Sequence, residues 1–247
     1  MEMPIRCIMF DWGGTLAHVR REQDTFAHCV AGFLEFLSQG GINPPENAQD
    51  DLLARHVAAV AKTATSDSHR EFDTSQVLTD WAIDRGLTLP NGDWLLAAAD
   101  AFWRPWIGCL DAIEGAVDTI QRLKSPDRAI GLVSNTAVIG PICRSELQRL
   151  GFADHLDFTV FSSEVGWRKP HDAIYRKALT QAGRNIDPAT VLFVGDTPVA
   201  DVDGPARFGM RTALVRTGRW GGSDAELSTS PTYILDSVAD LTHALNI

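Results

Sequence analysis

Short apolar runs, each halted by a polar cluster, most constrain what this chain can fold into. "IRCIMF" (residues 5–10) stops at Asp11, "AIGLVSN" ends on Ser134 and Asn135, "FTVFSSEVG" opens into "WRKPHD", and "TVLFVGD" ends on Asp196. Continuous apolar runs of this kind suit strands buried on both faces. Between them lie amphipathic stretches of helical length, "AIEGAVDTIQRLK", "GPICRSELQRLG", "DAIYRKALTQAG" and "DVDGPARFG". A further run, "RTALVR", and a terminal helix in "SVADLTHALNI" continue the pattern. Strands alternating with helices predict an α/β fold, a doubly wound and mostly parallel sheet with right-handed crossovers. Such sheets carry their ligand crevice at the carboxyl ends of the strands, where these polar residues fall.

Residues 16–108 break that rhythm. "DTFAHCVAGFLEFLSQGG", "AQDDLLARHVAAVAKTA", "TSQVLTDWAIDRG" and "GDWLLAAADAFWRPW" carry helical spacing with no strand between them. The expected organisation is therefore an α/β core from residues 1–15 and 109–247, with a helical module inserted at 16–108. Pro44, Pro45 and "LPNGD" mark turns inside that module.

Composition narrows the partners. A formal net charge of -10 disfavours long-range attraction to nucleic acid or an anionic membrane, while local cations can still hold a small anion in a cleft. Cys7, Cys29, Cys109 and Cys143 show no C-x-x-C spacing, so free thiols in a reducing compartment are expected. No run reaches the length of a membrane span and the first ten residues do not read as a signal peptide, which points to a cytoplasmic protein.

The clusters differ in what they say alone. An Asp after a strand, such as Asp11, ordinarily caps a helix or forms a turn. "GDTPVAD" says more, because Asp196 and Asp201 in one strand-to-helix turn repel unless a cation lies near. In sequence order, "DWGGT", "SN", "KP" and "GDTPVAD", each following a strand-like run, resemble the haloacid dehalogenase (HAD) superfamily in its phosphatase-like branch. The resemblance covers roughly residues 5–15 and 109–247 and implies a Rossmann-like core. The inserted module stands where that family places a helical cap.

The resemblance implies a Mg²⁺-dependent phosphohydrolase acting on a small phosphorylated metabolite. Asp11 would be the nucleophile, forming an aspartyl-phosphate, and Lys169 would offset the charge of Asp11 and phosphate. Mg²⁺ would be held by Asp11, Asp196 and the backbone carbonyl of Gly13, with Asp201 and Thr15 behind them. Ser134, Asn135, Lys169 and Gly14 would bind the phosphoryl group. The cap would close over the site on hinges near Leu16 to His18 and Ile107 to Leu110.

One position departs from the family pattern. Two residues after the nucleophile most of these phosphatases carry a second aspartate that protonates the leaving group; here the residue is Gly13. His18, His69 and Arg20 are candidate substitutes. An alternative is carbon–phosphorus cleavage as in phosphonoacetaldehyde hydrolase, which needs a cap lysine for a Schiff base; only Lys62 is available in the module. Another is a binding or regulatory protein that keeps the fold with little turnover. "FWRPW", with Trp103, Arg104 and Trp106, could pack the hinge or line a substrate pocket, and Arg20 and Arg21 could meet an anionic substrate end.

Overall fold

The computed structural model describes residues 3–20, 22–90, 92–183, 185–216 and 227–247, residues 22–24 by their backbone only. Arg21, one of the cations considered above, lies outside the described residues. Six parallel strands form the main sheet in the order β5-β4-β1-β6-β7-β8. They are β1 (Cys7–Phe10), β4 (Ala129–Ser134), β5 (Phe158–Phe161), β6 (Val191–Gly195), β7 (Arg211–Val215) and β8 (Tyr233–Leu235). The doubly wound α/β sheet expected from the apolar runs is thus the one observed.

Alternation along β1 explains why helices cover both faces. Ile8 and Phe10 join one apolar cluster with Ile120 of α5 (Ala116–Leu123) and Leu147 of α6 (Gly140–Arg149). Cys7 and Met9 point the other way, into a cluster with Ile174 and Tyr175 of α7 (Asp172–Ala182). A strand buried on both faces has no polar side to show, hence the unbroken apolar spelling. All four cysteines are free, three of them buried.

Helices α1 (Glu22–Gln39), α2 (Ala48–Ala64), α3 (Thr74–Asp84) and α4 (Asp93–Trp103) come in succession, with no strand among the described residues between one helix and the next. Their interior, including Val30, Phe33, Leu52, Trp81 and Phe102, is continuous with the first of the two clusters. The chain enters and leaves them through a feature absent from the sequence reading: β2 (Ala17–Val19) pairs antiparallel with β3 (Leu110–Ala112). Two flanking backbone bonds, Arg20 N–H to Cys109 O at 2.8 Å and Ile113 N–H to Leu16 O at 2.9 Å, lengthen this ribbon. Among the described residues no helix is long and apolar enough to cross a membrane.

At the centre of the helices, the fully buried His56 of α2 lies against Phe26, Phe72, Phe102 and Trp103, with ring centroids 4.9–5.6 Å away. Neither ring nitrogen has a hydrogen-bond partner. Burial pushes its pKa down to about 4, so the folded state holds it neutral while the unfolded chain protonates it near 6.5. The folded pKa is the lower one, so this stability is complete above pH 6.5 and is lost as pH falls towards 4. The full loss is about 3 kcal/mol. Replacement His56→Leu is expected to flatten the decline of the melting temperature between pH 6.5 and 4; an unchanged slope would place the acid sensitivity elsewhere.

Candidate active site

The site forms where β1 and β6 end side by side. The Asp11 N–H donates to Val194 O at 2.8 Å, so the acid leaves the sheet as the last ladder residue. The carbonyl of Trp12 then accepts the N–H groups of Thr15, Leu16 and Ala17, which turns the chain sharply. This turn needs Gly14, whose φ is +83° and whose N–H donates to Ala17 O at 2.8 Å. After β6, residues Pro198–Asp203 wind as a π-helical turn, a rare geometry that here folds Asp201 back onto the strand end. Gly195 permits the approach: a Cβ there would stand 2.3 Å from the Asp201 carboxyl carbon.

Lys169 joins these ends. Its fully buried ammonium donates to Asp11 Oδ1 and Asp201 Oδ1, both at 2.7 Å. Burial opposes its charge, but the two carboxylates outweigh burial and raise its pKa above the ordinary lysine value. Asp201 is committed twice, since its Oδ2 accepts the Thr197 N–H at 2.9 Å. Asp196 is different: Oδ1 takes the Thr197 hydroxyl at 3.3 Å, and the buried Oδ2 has no partner. Burial first, then Asp11 and Asp201, pushes Asp196 up to about 7.

Charge and donor chemistry together fit a hard divalent cation. Carboxylate oxygens of Asp11, Asp196 and Asp201 lie within 4.8 Å of one another and face a single ammonium. A cluster one cation short, with an orphaned oxygen on Asp196, suits an ion that takes oxygen ligands.

The remaining expected residues fall around this cluster with varied fates. Ser134, at the end of β4, is buried and borders the cavity beside Gly13. Asn135, expected at the phosphoryl group, spends its amide on Lys169: Nδ2 donates to the Lys169 carbonyl at 3.0 Å, and Oδ1 accepts the Lys169 N–H at 2.7 Å. It holds the lysine's backbone. Gly14 has its N–H engaged by Ala17, and the buried Thr15 hydroxyl bonds no acceptor, Asp11 included.

Of the three candidate acids, Arg20 is engaged by both oxygens of Asp111, and His69 sits at φ +52° in the loop between α2 and α3. Only His18 borders the cavity that Gly13 borders. That cavity, about 150 Å³, is also walled by Trp12, Val19, Trp106 and Leu110. Trp106 therefore does line it, while Trp103 packs inside the helices. Lys62 stands exposed in the last turn of α2, away from the cavity wall.

The sequence carried no signal for a second network that ties the helices to the loops carrying Asn135 and Lys169. Glu71, its carboxylate almost fully buried, accepts Arg168 Nη1 at 2.9 and 3.1 Å and the Ser162 hydroxyl at 2.5 Å. Ser162 Oγ in turn accepts the Thr136 N–H at 2.7 Å, beside Asn135. Backbone bonds Glu71 N–H to Gly166 O at 3.1 Å and Arg168 N–H to His69 O at 2.8 Å flank the contact, and Arg70 lies over the Trp167 ring. Glu71→Ala leaves a half-buried guanidinium without its acceptor and the Ser162 hydroxyl with the Thr136 carbonyl at 3.1 Å instead, and is expected to cost about 2 kcal/mol. Denaturant unfolding measures that loss, and amide exchange should accelerate at 66–72 and 162–168 together. Exchange faster in one segment alone would show that they are not coupled.

Several known proteins are similar to this chain. The HAD-hydrolase-like family model matches residues 166–241, which include Lys169, Asp196 and Asp201. Glyceraldehyde 3-phosphate phosphatase of Pyrococcus furiosus is 28% identical over 156 residues, 63% of either chain. Human haloacid dehalogenase-like hydrolase domain-containing protein 3 is 30% identical over 134 residues, 54% of this chain and 51% of the relative. The chain thus matches between half and 63% of the length of these curated relatives. A solved HAD phosphatase of Thermococcus onnurineus superposes with a TM-score of 0.63 at 18% identity, over 98% of each chain. The chain is thus similar to HAD-like hydrolases, by sequence over residues 166–241 and by fold over its length.

Proposed function

We propose that this chain is a Mg²⁺-dependent phosphohydrolase that cleaves a small phosphorylated metabolite through an aspartyl-phosphate on Asp11. The observation that carries this reading is Lys169 shared between Asp11 and Asp201, with the orphaned oxygen of Asp196 beside them. Asp11, Asp196 and the Gly13 carbonyl would hold the ion, which supplies charge neutralisation for the phosphoryl oxygens when bound. Lys169 fixes one oxygen of Asp11 and leaves the other for attack on phosphorus. As the Asp11–phosphorus bond forms, the bond to the leaving oxygen breaks and that oxygen departs with the electron pair. Water then attacks the acyl phosphate and releases inorganic phosphate. Gly13 offers no proton for the first departure, so substrates whose leaving oxygen is already a stable anion are favoured.

In this reading residues 16–108 form the cap over a core of 1–15 and 109–247, with the β2 and β3 ribbon as its hinge. Glyceraldehyde 3-phosphate, the substrate in the archaeal relative's name, sets the scale of molecule expected. Carbon–phosphorus cleavage is disfavoured by the position of Lys62. The test is phosphate release from an aryl phosphate, small alkyl phosphates and phosphonoacetaldehyde, with Mg²⁺ and with chelator. Chelator-sensitive release from an ester supports the reading; release from phosphonoacetaldehyde alone, or none from folded Mg²⁺-loaded protein, refutes it.

A further inference from the structure

Glu71 is a charged side chain buried where an apolar one would serve packing as well. It stands in the loop between α2 and α3, and its side chain is 1% exposed. Four bonds satisfy its carboxylate: Arg168 Nη1 reaches both oxygens, the Ser162 hydroxyl donates at 2.5 Å, and the Phe72 N–H donates at 3.2 Å. A buried ion pair adds little stability over a well-packed apolar contact of the same volume, but it accepts only one arrangement of its donors. The arrangement fixed here includes the surroundings of Lys169.

Lysine carries its ammonium on a flexible stem, so the ammonium of Lys169 stays between Asp11 and Asp201 only while its backbone is held. One side chain holds it: Asn135 takes the Lys169 N–H at 2.7 Å and donates to the Lys169 carbonyl at 3.0 Å. Both members of this pair are flanked by contacts of Glu71. Thr136, next to Asn135, donates its N–H to Ser162 Oγ at 2.7 Å. The Ser162 hydroxyl donates to Glu71 at 2.5 Å, a shorter bond than the 3.1 Å open to it at the Thr136 carbonyl. Arg168, next to Lys169, reaches Glu71 directly. Glu71, Ser162, Thr136, Asn135, Lys169 and Arg168 therefore close a ring of hydrogen bonds and the peptide links 135–136 and 168–169. Glu71 is its one member from the helical segment, so the ring is complete only while the helices are seated on the loops that carry the others.

Resting on the phosphohydrolase reading for the step that Lys169 serves, we propose that Glu71 is a positioning residue, which closes this ring and so sets Lys169 against Asp11 only when the helices are seated. Glu71 acts through Arg168 and Ser162, at a remove from the reacting atoms. Its loss is therefore felt in kcat more than in KM. A misplacement of about 1 Å can cost about 10²-fold in rate, and a loosened lysine that still visits its place costs less.

Glu71→Gln keeps the volume but turns an amide NH₂ towards donors. With 4-nitrophenyl phosphate and Mg²⁺, its kcat is expected to fall about tenfold while KM stays within about twofold. Arg168→Gln, made from the other side of the contact at a side chain 26% exposed, should fall by a similar factor and carries the test if Glu71→Gln does not fold. The double variant should be no slower than the slower single. Asp51→Ala controls for loosened helices: it removes the acceptor of Trp81 and Arg85 in the first turn of α2, and should lower the melting temperature without lowering kcat. A second readout needs no turnover. N-hydroxysuccinimidyl acetate should acetylate the exposed Lys62, Lys124 and Lys177 and spare the buried Lys169, as read by mass spectrometry. Glu71→Gln should raise labelling of Lys169 about fivefold by letting its surroundings open, and Asp51→Ala should not. Either readout unchanged in the folded Glu71 and Arg168 variants, or changed equally in Asp51→Ala, would overturn the proposal. If wild-type protein releases no phosphate, the phosphohydrolase reading falls and the labelling alone decides for or against the role of Glu71. Wild-type turnover with Glu71→Gln matching it in both readouts gives the converse.

Discussion

Asp11→Asn is expected to lower Mg²⁺-dependent phosphate release by at least about 10⁴-fold, the scale set by removal of nucleophiles in other covalent mechanisms. The substitution removes the attacking oxygen and one of the cluster's negative charges together. It should not unfold the protein: asparagine matches aspartate in shape, and its carbonyl oxygen can still accept from Lys169, which keeps its bond to Asp201. Thermal unfolding without metal should be unchanged or slightly higher, because one carboxylate fewer is held in a crowded buried cluster. Steady-state phosphate release and a melting curve on the same preparation separate the effects. Activity surviving in a folded Asp11→Asn protein would remove this residue from the chemistry.

The second large effect runs in the opposite direction. Gly13→Asp is expected to raise turnover of alkyl phosphates by about 10²-fold or more, the usual scale of general acid catalysis. Space allows it: a Cβ at Gly13 meets nothing within 4 Å, and its φ, unlike that of Gly14, lies outside the left-handed region. The backbone carbonyl assigned to the ion is untouched. Aryl phosphates, whose leaving oxygen needs no proton, should gain much less, so the alkyl to aryl ratio of kcat/KM is the diagnostic quantity. A rise in both by the same factor would point to improved ion binding. No rise in either would mean that another group, with His18 bordering the same cavity, already delivers the proton.

What the sequence could and could not reveal follows from the range of each interaction. Asp11, Ser134, Asp196 and the strands they terminate are written locally, as apolar runs that stop where the strands stop. The ribbon of Ala17–Val19 with Leu110–Ala112 joins segments some ninety residues apart through three residues each, too few to show a period of two. Strand β8, Tyr233–Leu235, escaped for the same reason of length. The Glu71, Arg168 and Ser162 network had no signal at all, since a lone glutamate in a polar loop reads as a solvated side chain. Roles assigned by position alone fared unevenly. Asn135 turned out to grip the Lys169 backbone, and the Thr15 hydroxyl reaches no partner.

The same ribbon has a mechanical consequence. Because the two crossings between sheet and helices are hydrogen-bonded to each other, they cannot slide or twist independently; the pair bends as one strap. The helices are also fastened at the loop carrying Glu71, which grips the segment just before Lys169. Helices fastened along two lines can part from the sheet at the ribbon alone by bending, and parting at the second line requires the Glu71 contacts to break.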